Sequence, residues 1–189
     1  MKLKIGLDLD GVIIDHTNNK IRLAKKYGYF LKPAQTSSES LKKLLPAKIK
    51  SFIDYGIYGK IGLSSKPMEG ARETLKKITK AFSVPYVISR RYKKQIAIQW
   101  LKKNNFFPPL PRNQILFVKS DLKKNNPCKK LGIDVYLDDK IKVLDNLTSV
   151  KYRVLFDPYG HHYKNPPKNI KVVKTWEEFY KYLSRIKPS

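Results

Sequence analysis

The chain has 189 residues, 41% of them hydrophobic, and carries 40 lysines and arginines against 15 aspartates and glutamates, a formal charge of +25. That length suits one domain with a sizeable core and a small insertion rather than two equal domains; no stretch approaches the roughly 20 apolar residues that span a bilayer, and one cysteine, Cys128, excludes an intramolecular disulfide and fits a reducing cytoplasm. The excess charge raises nucleic acid or another polyanion as a partner, but 33 lysines to seven arginines, scattered in pairs such as Lys25-Lys26 and Lys102-Lys103, suit a solvated surface better than recognition through arginine forks.

The first strand pattern covers residues 3–8 and delivers Asp8 and Asp10 on either side of Leu9, with Gly11 directly after them. These aspartates interrupt the apolar run where an export signal needs continuity. Two like charges at one strand end repel unless a cation sits with them, and Gly11 allows the tight turn that follows. Between residues 15 and 65 no strand pattern appears. Helical spacing runs instead through NKIRLAKKYGYFL and ESLKKLLPAKIKSFIDYGIYG, separated by a polar loop at 36–38. The expectation is a small helical cap, residues 16–65, inserted after the first strand of a core made of residues 1–15 and 66–189. Its aromatic residues Tyr27, Tyr29, Phe30, Phe52, Tyr55 and Tyr58 are either packing or a platform for a base.

Further strand patterns lie at 84–89, 114–118, 135–138, 152–157 and 170–174. Between them run helical stripes: Ala71, Leu75, Ile78 and Phe82; Ile96, Trp100 and Leu101; Trp176, Phe179, Tyr180 and Leu183. Strand alternating with helix predicts an α/β fold with an open parallel sheet covered on both faces. Cys128 reads as core, and NPPKN at 165–169 as a loop into the last strand.

Ligands of such sheets bind beyond the carboxyl ends of the strands. There the sequence places Asp8-Leu9-Asp10, Ser89-Arg90-Arg91 and Asp138-Asp139. Carboxylates, a hydroxyl and guanidiniums together describe a hard cation with oxygen ligands beside an anion, for which Mg²⁺ and a phosphoryl group are the economical reading. A lysine completes the set. Lys124 precedes Asn125, Asn126 and Pro127, a helix start with proline in its first turn; Lys119, at the end of the third run, competes with it.

DLDGV, VISRR, KNNPCKKLGID and YLDD, in that order, resemble the four motifs of the haloacid dehalogenase superfamily of phosphohydrolases, over residues 3 to 160. Within it the chain is similar to the 5'(3')-deoxyribonucleotidase-like group. The likeness rests on ISRRY followed by Gln99-Trp100-Leu101, on residues 124–139, and on Phe156-Asp157-Pro158-Tyr159-Gly160. In the last of these the group's asparagine is missing, and His161 and His162, read as surface loop residues, stand beside its place. The resemblance implies a three-layer Rossmannoid sheet with a small cap. It also implies a Mg²⁺-dependent phosphatase acting on a small phosphorylated substrate, a nucleotide, through an aspartyl phosphate on Asp8. Asp10 would serve as acid and base, Ser89 and Lys124 would neutralise charge, and Lys124 matches the group's spacing to Asp138. The metal would take Asp8, Asp138, Asp139 and the backbone carbonyl of Asp10, with Gly11 and Arg91 on the substrate side. Ser89 as a turn residue, Arg90 and Arg91 as solvated charges and Asp139 as a helix cap are the plainer readings. The functional rivals are a sugar phosphatase, a phosphatase of nucleic-acid ends, and an idle fold that binds nucleic acid through its charge. No oligomeric state is implied.

Overall fold

The computed structural model describes residues 2–161 and 167–188. The chain starts with β1 (Ile5–Leu7) and a two-residue strand β2 (Ile14–Asp15), then three helices, α1 (Thr17–Lys25), α2 (Ser38–Leu44) and α3 (Ala47–Tyr58). Strand β3 (Lys66–Pro67) leads back to α4 (Ala71–Ala81), β4 (Tyr86–Ser89), α5 (Lys94–Lys103) and β5 (Ile115–Phe117). The remainder is α6 (Asn125–Leu131), β6 (Val135–Asp138), α7 (Ile141–Asp145), β7 (Tyr152–Phe156), β8 (Ile170–Val173) and α8 (Trp176–Leu183).

The six predicted strand runs all form strands, and they build one sheet in the order β5-β4-β1-β6-β7-β8, every pairing parallel. Strand alternation assigns the faces. Ile5, Leu7, Val135 and Leu137 pack with α4, α5 and α8 through Leu75, Ile78, Trp100, Leu101, Trp176 and Phe179. Tyr136 and Ile88 turn the other way, towards Cys128 of α6 and Val143 and Leu144 of α7. The result is the three-layer α/β arrangement with its core on both sides of the sheet. Gly6 lets the Tyr136 ring lie across β1, where a Cβ would run into the ring, and the Tyr136 hydroxyl donates to the Ile88 carbonyl at 2.7 Å.

The inserted segment has a small apolar cluster of its own, Leu23, Ala24, Leu41, Leu45, Ile53 and Ile57. Two features differ from the sequence expectation. The helical pattern at 39–59 is broken between α2 and α3, because Pro46 has no N–H to donate and holds Leu45 extended at φ −122°, ψ 144°. The ends of the segment form an antiparallel ribbon that pattern reading missed, Ile14 opposite Pro67 and Asp15 opposite Lys66. Both tryptophans secure this junction. Buried Trp176 donates from Nε1 to the Val12 carbonyl at 3.0 Å, and buried Trp100 to that of Ser65 at 2.8 Å.

Asp139 does not cap a helix: α7 begins two residues later, and the Asp138 side chain accepts from the Lys140 amide at 3.0 Å. His162 and residues 163–166 lie outside the described residues. Among the described residues no helix is long and apolar enough to cross a membrane.

Cys128 sits wholly buried in α6, and burial pushes its thiol up to about 12. The native protein is therefore expected to resist iodoacetamide at mildly alkaline pH and to take up one label only when unfolded, as intact mass would record. Labelling of the folded protein at the rate of a free thiol would contradict this packing.

Candidate active site

Because β4, β1 and β6 are adjacent and parallel, their carboxyl ends bring Ser89, Asp8 and Asp138 side by side. The Asp8 amide still belongs to the sheet, donating to the Leu137 carbonyl at 2.9 Å, so its side chain leaves from the strand's edge. All three residues are buried. Lys124, 1% exposed, reaches between the two carboxylates, with Nζ 2.9 Å from Asp8 Oδ1 and 2.8 Å from Asp138 Oδ2. Lys119 is exposed. Of the two competing lysines, Lys124 is the one that the fold delivers to the strand ends.

Asp139 closes the group. Ligand oxygens of Asp8, Asp138 and Asp139 lie within 4.8 Å of one another, and Asp139 Oδ1 is buried without a hydrogen-bond partner. Burial raises the carboxyls of both Asp8 and Asp138; Lys124 pulls each back, and the neighbouring acids add to the rise. Three carboxyl groups gathered beside Lys124 and Lys140, with an orphaned oxygen, fit a small hard divalent cation, whose ligands are carboxylate oxygens. Gly11 makes the arrangement possible: its φ of +88° suits glycine, and a Cβ there would strike the Asp139 carboxylate.

Asp10 stands apart from that cluster. Its Oδ1 accepts from Arg91 Nη1 at 2.7 Å and lies 2.7 Å from His16 Nε2. His16 Nδ1 is 2.7 Å from the Ser65 hydroxyl, which in turn accepts from Asn19 at 2.9 Å. Hydrogens follow from these partners: Asn19 donates to Ser65, Ser65 to His16 Nδ1, and Nε2 to the carboxylate. Burial works to raise the Asp10 carboxyl, but Arg91 and His16 overcome it and hold it well below the ordinary range. Burial also lowers His16, consistent with a neutral ring.

Arg91 is buried and faces inward. Besides Asp10 it lies 3.4 Å from the carbonyls of Ile57 and Tyr58, with its guanidinium 5.6 Å from the Tyr58 ring centre. Its backbone amide donates to the Ser89 hydroxyl at 3.2 Å. Arg90 lies outside, 3.3 Å from Asp121.

A cleft of about 340 Å³ opens over these groups, floored by Asp8, Asp10, Ser89 and Lys140 and walled by Tyr55, Tyr58 and Tyr92. At its mouth Tyr55 and Tyr92 are 66% and 61% exposed. The other aromatic residues of the inserted segment are not among its lining: Tyr29 packs against the inserted cluster, and Tyr27 stacks on Phe52. His161 lies 3.0 Å from the Pro33 carbonyl and 3.3 Å from the Thr36 hydroxyl, joining the loop after β7 to the insertion.

Sequence reading missed His16, Ser65, Tyr92 and Lys140. For Lys140 the signal was present, since it directly follows Asp138-Asp139. His16 and Ser65 are 49 residues apart and meet only through the fold.

A family model described as 5' nucleotidase, deoxy (pyrimidine), cytosolic type C protein matches residues 2–188. Among solved structures, the chain is similar to a haloacid dehalogenase superfamily hydrolase from Ehrlichia chaffeensis, with 10% identity, TM-score 0.62 and 98% of each chain covered. It is also similar to a hydrolase of this superfamily from Bacillus subtilis bound to magnesium, with 14% identity, TM-score 0.64 and coverage of 97% of this chain and 99% of that one. A third, from Deinococcus radiodurans with bound phosphate and sodium, has 14% identity, TM-score 0.60 and 98% of each chain covered. At these identities the likeness shows the fold. No curated protein matches the chain.

Proposed function

Because the chain belongs to the 5' nucleotidase, deoxy (pyrimidine), cytosolic type C family, and is thus a phosphatase-type hydrolase of the haloacid dehalogenase superfamily, we propose that it cleaves the phosphate monoester of a deoxypyrimidine nucleotide with Mg²⁺ held by Asp8, Asp138 and Asp139. The observation that carries this reading is the Asp8–Lys124–Asp138 bridge beside the orphaned Asp139 oxygen, at the ends of three adjacent strands. When bound, the cation would neutralise charge on the phosphoryl oxygens.

The chain's own residues account for the bond changes. A free oxygen of Asp8 attacks phosphorus, the ester P–O bond breaks, and the nucleoside oxygen takes a proton from Asp10, leaving an aspartyl phosphate. Water then attacks that phosphorus, gives its proton to Asp10, and restores Asp8 as inorganic phosphate departs. Lys124 keeps Asp8 oriented and offsets anionic charge as the two negative groups approach. Ser89 and Arg91 line the cleft with Asp8 and would hold phosphate oxygens. Arg91 in moving from Asp10 to the phosphate would free Asp10 to carry its proton, while His16 keeps that side chain in place. At the mouth, the rings of Tyr55 and Tyr92 supply faces for a base, a contact worth about 1–3 kcal/mol where base and aromatic stack.

Phosphate release from thymidine 5'-monophosphate, other nucleoside monophosphates and sugar phosphates, with Mg²⁺ and with EDTA, tests the proposal. Turnover is expected to favour the deoxypyrimidine nucleotide and to fall by about 10²-fold or more in EDTA, several kcal/mol of transition-state stabilisation being at stake. Turnover indifferent to EDTA would remove the metal from the proposal. A folded protein that releases phosphate from no ester would instead favour an idle fold.

A further inference from the structure

The catalytic cleft continues beyond its rim. A second groove, of about 450 Å³, lies between the inserted helices and the core, and Arg90 and Lys140 line both hollows. The insertion contributes Lys42 from α2 and Lys50 from α3; the core contributes Arg90, Lys140 and Lys142. Five cations thus face two acids, Glu39 and Asp121. Asp121 is shared, 3.3 Å from Arg90 and 3.8 Å from Lys140, and Lys140 is drawn as well by Asp139 and Asp8 of the carboxylate cluster. Lys50 is paired with Asp54, whereas exposed Lys42 and Lys142 take part in none of the ion pairs found among the described residues. Lysine is abundant over the whole chain, and a lone basic patch would mean little. This one is distinguished by its neighbour, since Arg90 and Lys140 line both it and the cleft that holds Asp8 and Ser89. It also offers apolar surface beside the charge, Leu122 being 64% exposed.

We propose that this groove is a second phosphate subsite, and that the substrate is a nucleotide bearing a phosphate beyond the one removed; the proposal rests on the phosphatase reading of the cleft. With the scissile phosphate against Asp8 and Ser89 and the base on the tyrosine side, a substituent turned towards Arg90 and Lys140 would reach the groove, which those two residues line together with the cleft. A guanidinium there suits the paired oxygens of a phosphate. The second phosphate has two sources, the free phosphate of a nucleoside 3',5'-bisphosphate or the next phosphodiester of a 5'-phosphorylated oligonucleotide.

Equilibrium binding to the Asp8→Asn protein separates these cases, with thymidine 5'-monophosphate, thymidine 3',5'-bisphosphate and 5'-phosphorylated dithymidylate as ligands. The second phosphate is expected to tighten binding by roughly 10- to 100-fold, the range of a charge-assisted hydrogen bond, with a steeper salt dependence than for the monophosphate. In a Lys42→Gln/Lys142→Gln background that margin should shrink towards one. Gain from the bisphosphate alone identifies the small molecule; gain from the dinucleotide as well identifies an oligonucleotide end. Equal affinity for all three ligands, or a margin untouched by the double substitution, would overturn the subsite. Phosphate release from the same ligands by the unsubstituted protein keeps the two readings separate. Turnover without a margin removes the subsite alone, and a margin without turnover removes the phosphatase alone.

Discussion

Asp8→Asn is expected to lower phosphate release by about 10⁴-fold or more, as loss of a covalent nucleophile does, while leaving the protein folded and at least as stable as before. The amide has the shape of the carboxylate but cannot attack phosphorus. Stability should hold because the wild-type carboxyl is in an adverse place. Burial raises it, and Asp139 and Asp10 add like charge. The substitution relieves that repulsion, and Lys124 retains Asp138 at 2.8 Å. Phosphate assays run beside thermal melting, both without added metal and with Mg²⁺, check the two halves. Activity within tenfold of wild type would place the nucleophile elsewhere; a collapse of the melting transition would show that the Asp8 charge is structural.

Lys124→Met should have the largest effect on stability. Methionine roughly matches the side chain's length, but it leaves Asp8 and Asp138 buried without the cation they share, and breaking a buried pair in this way costs about 3–5 kcal/mol. Because Lys124 serves two partners at once, at 2.9 and 2.8 Å, the upper half of that range is expected. Denaturant midpoints measure it. Added Mg²⁺ should return part of the loss, since a cation that binds only the folded state stabilises it. Adding Asp138→Asn to the variant should return more by removing an uncompensated charge. Lys119→Met, at an exposed position, should stay within about 0.5 kcal/mol of wild type. If Lys124→Met melted with the wild type in EDTA, the bridge would not be holding the strand ends.

The parts of this molecule that were legible in its sequence are those with a local pattern. Parallel strands buried on both faces are short apolar runs, and a strand that must end in a carboxylate or hydroxyl states its site in consecutive letters. Hence Asp8, Ser89 and Asp138 could be placed from their strands alone, whereas the helix start at Lys124 left Lys119 as a competitor until the fold brought Lys124 to the strand ends. Two-residue strands such as β2 and β3 have no period to detect. His16 carried no local mark, because what makes it part of the site is contact with Asp10 on one ring nitrogen and with Ser65 on the other. The side chain of Asp10 was expected near its neighbours at the strand ends; Arg91 and His16 draw it aside, a competition among groups from distant segments that spacing cannot express. Pro46 was visible in the sequence, and its effect on Leu45 should have divided the helix.

The antiparallel ribbon of β2 and β3 has a consequence for how this architecture can vary. It brings the two ends of a fifty-residue excursion together before the chain re-enters the core, with Asp15 opposite Lys66. Closing such a loop is an entropic cost that grows only logarithmically, about 0.6 kcal/mol for each doubling of its length. The core therefore responds to where the excursion begins and ends far more than to what it contains. Helices between those ends can be lengthened, trimmed or exchanged at small energetic cost, and the surface facing the carboxylates can be remade while the strands that present them stay as they are.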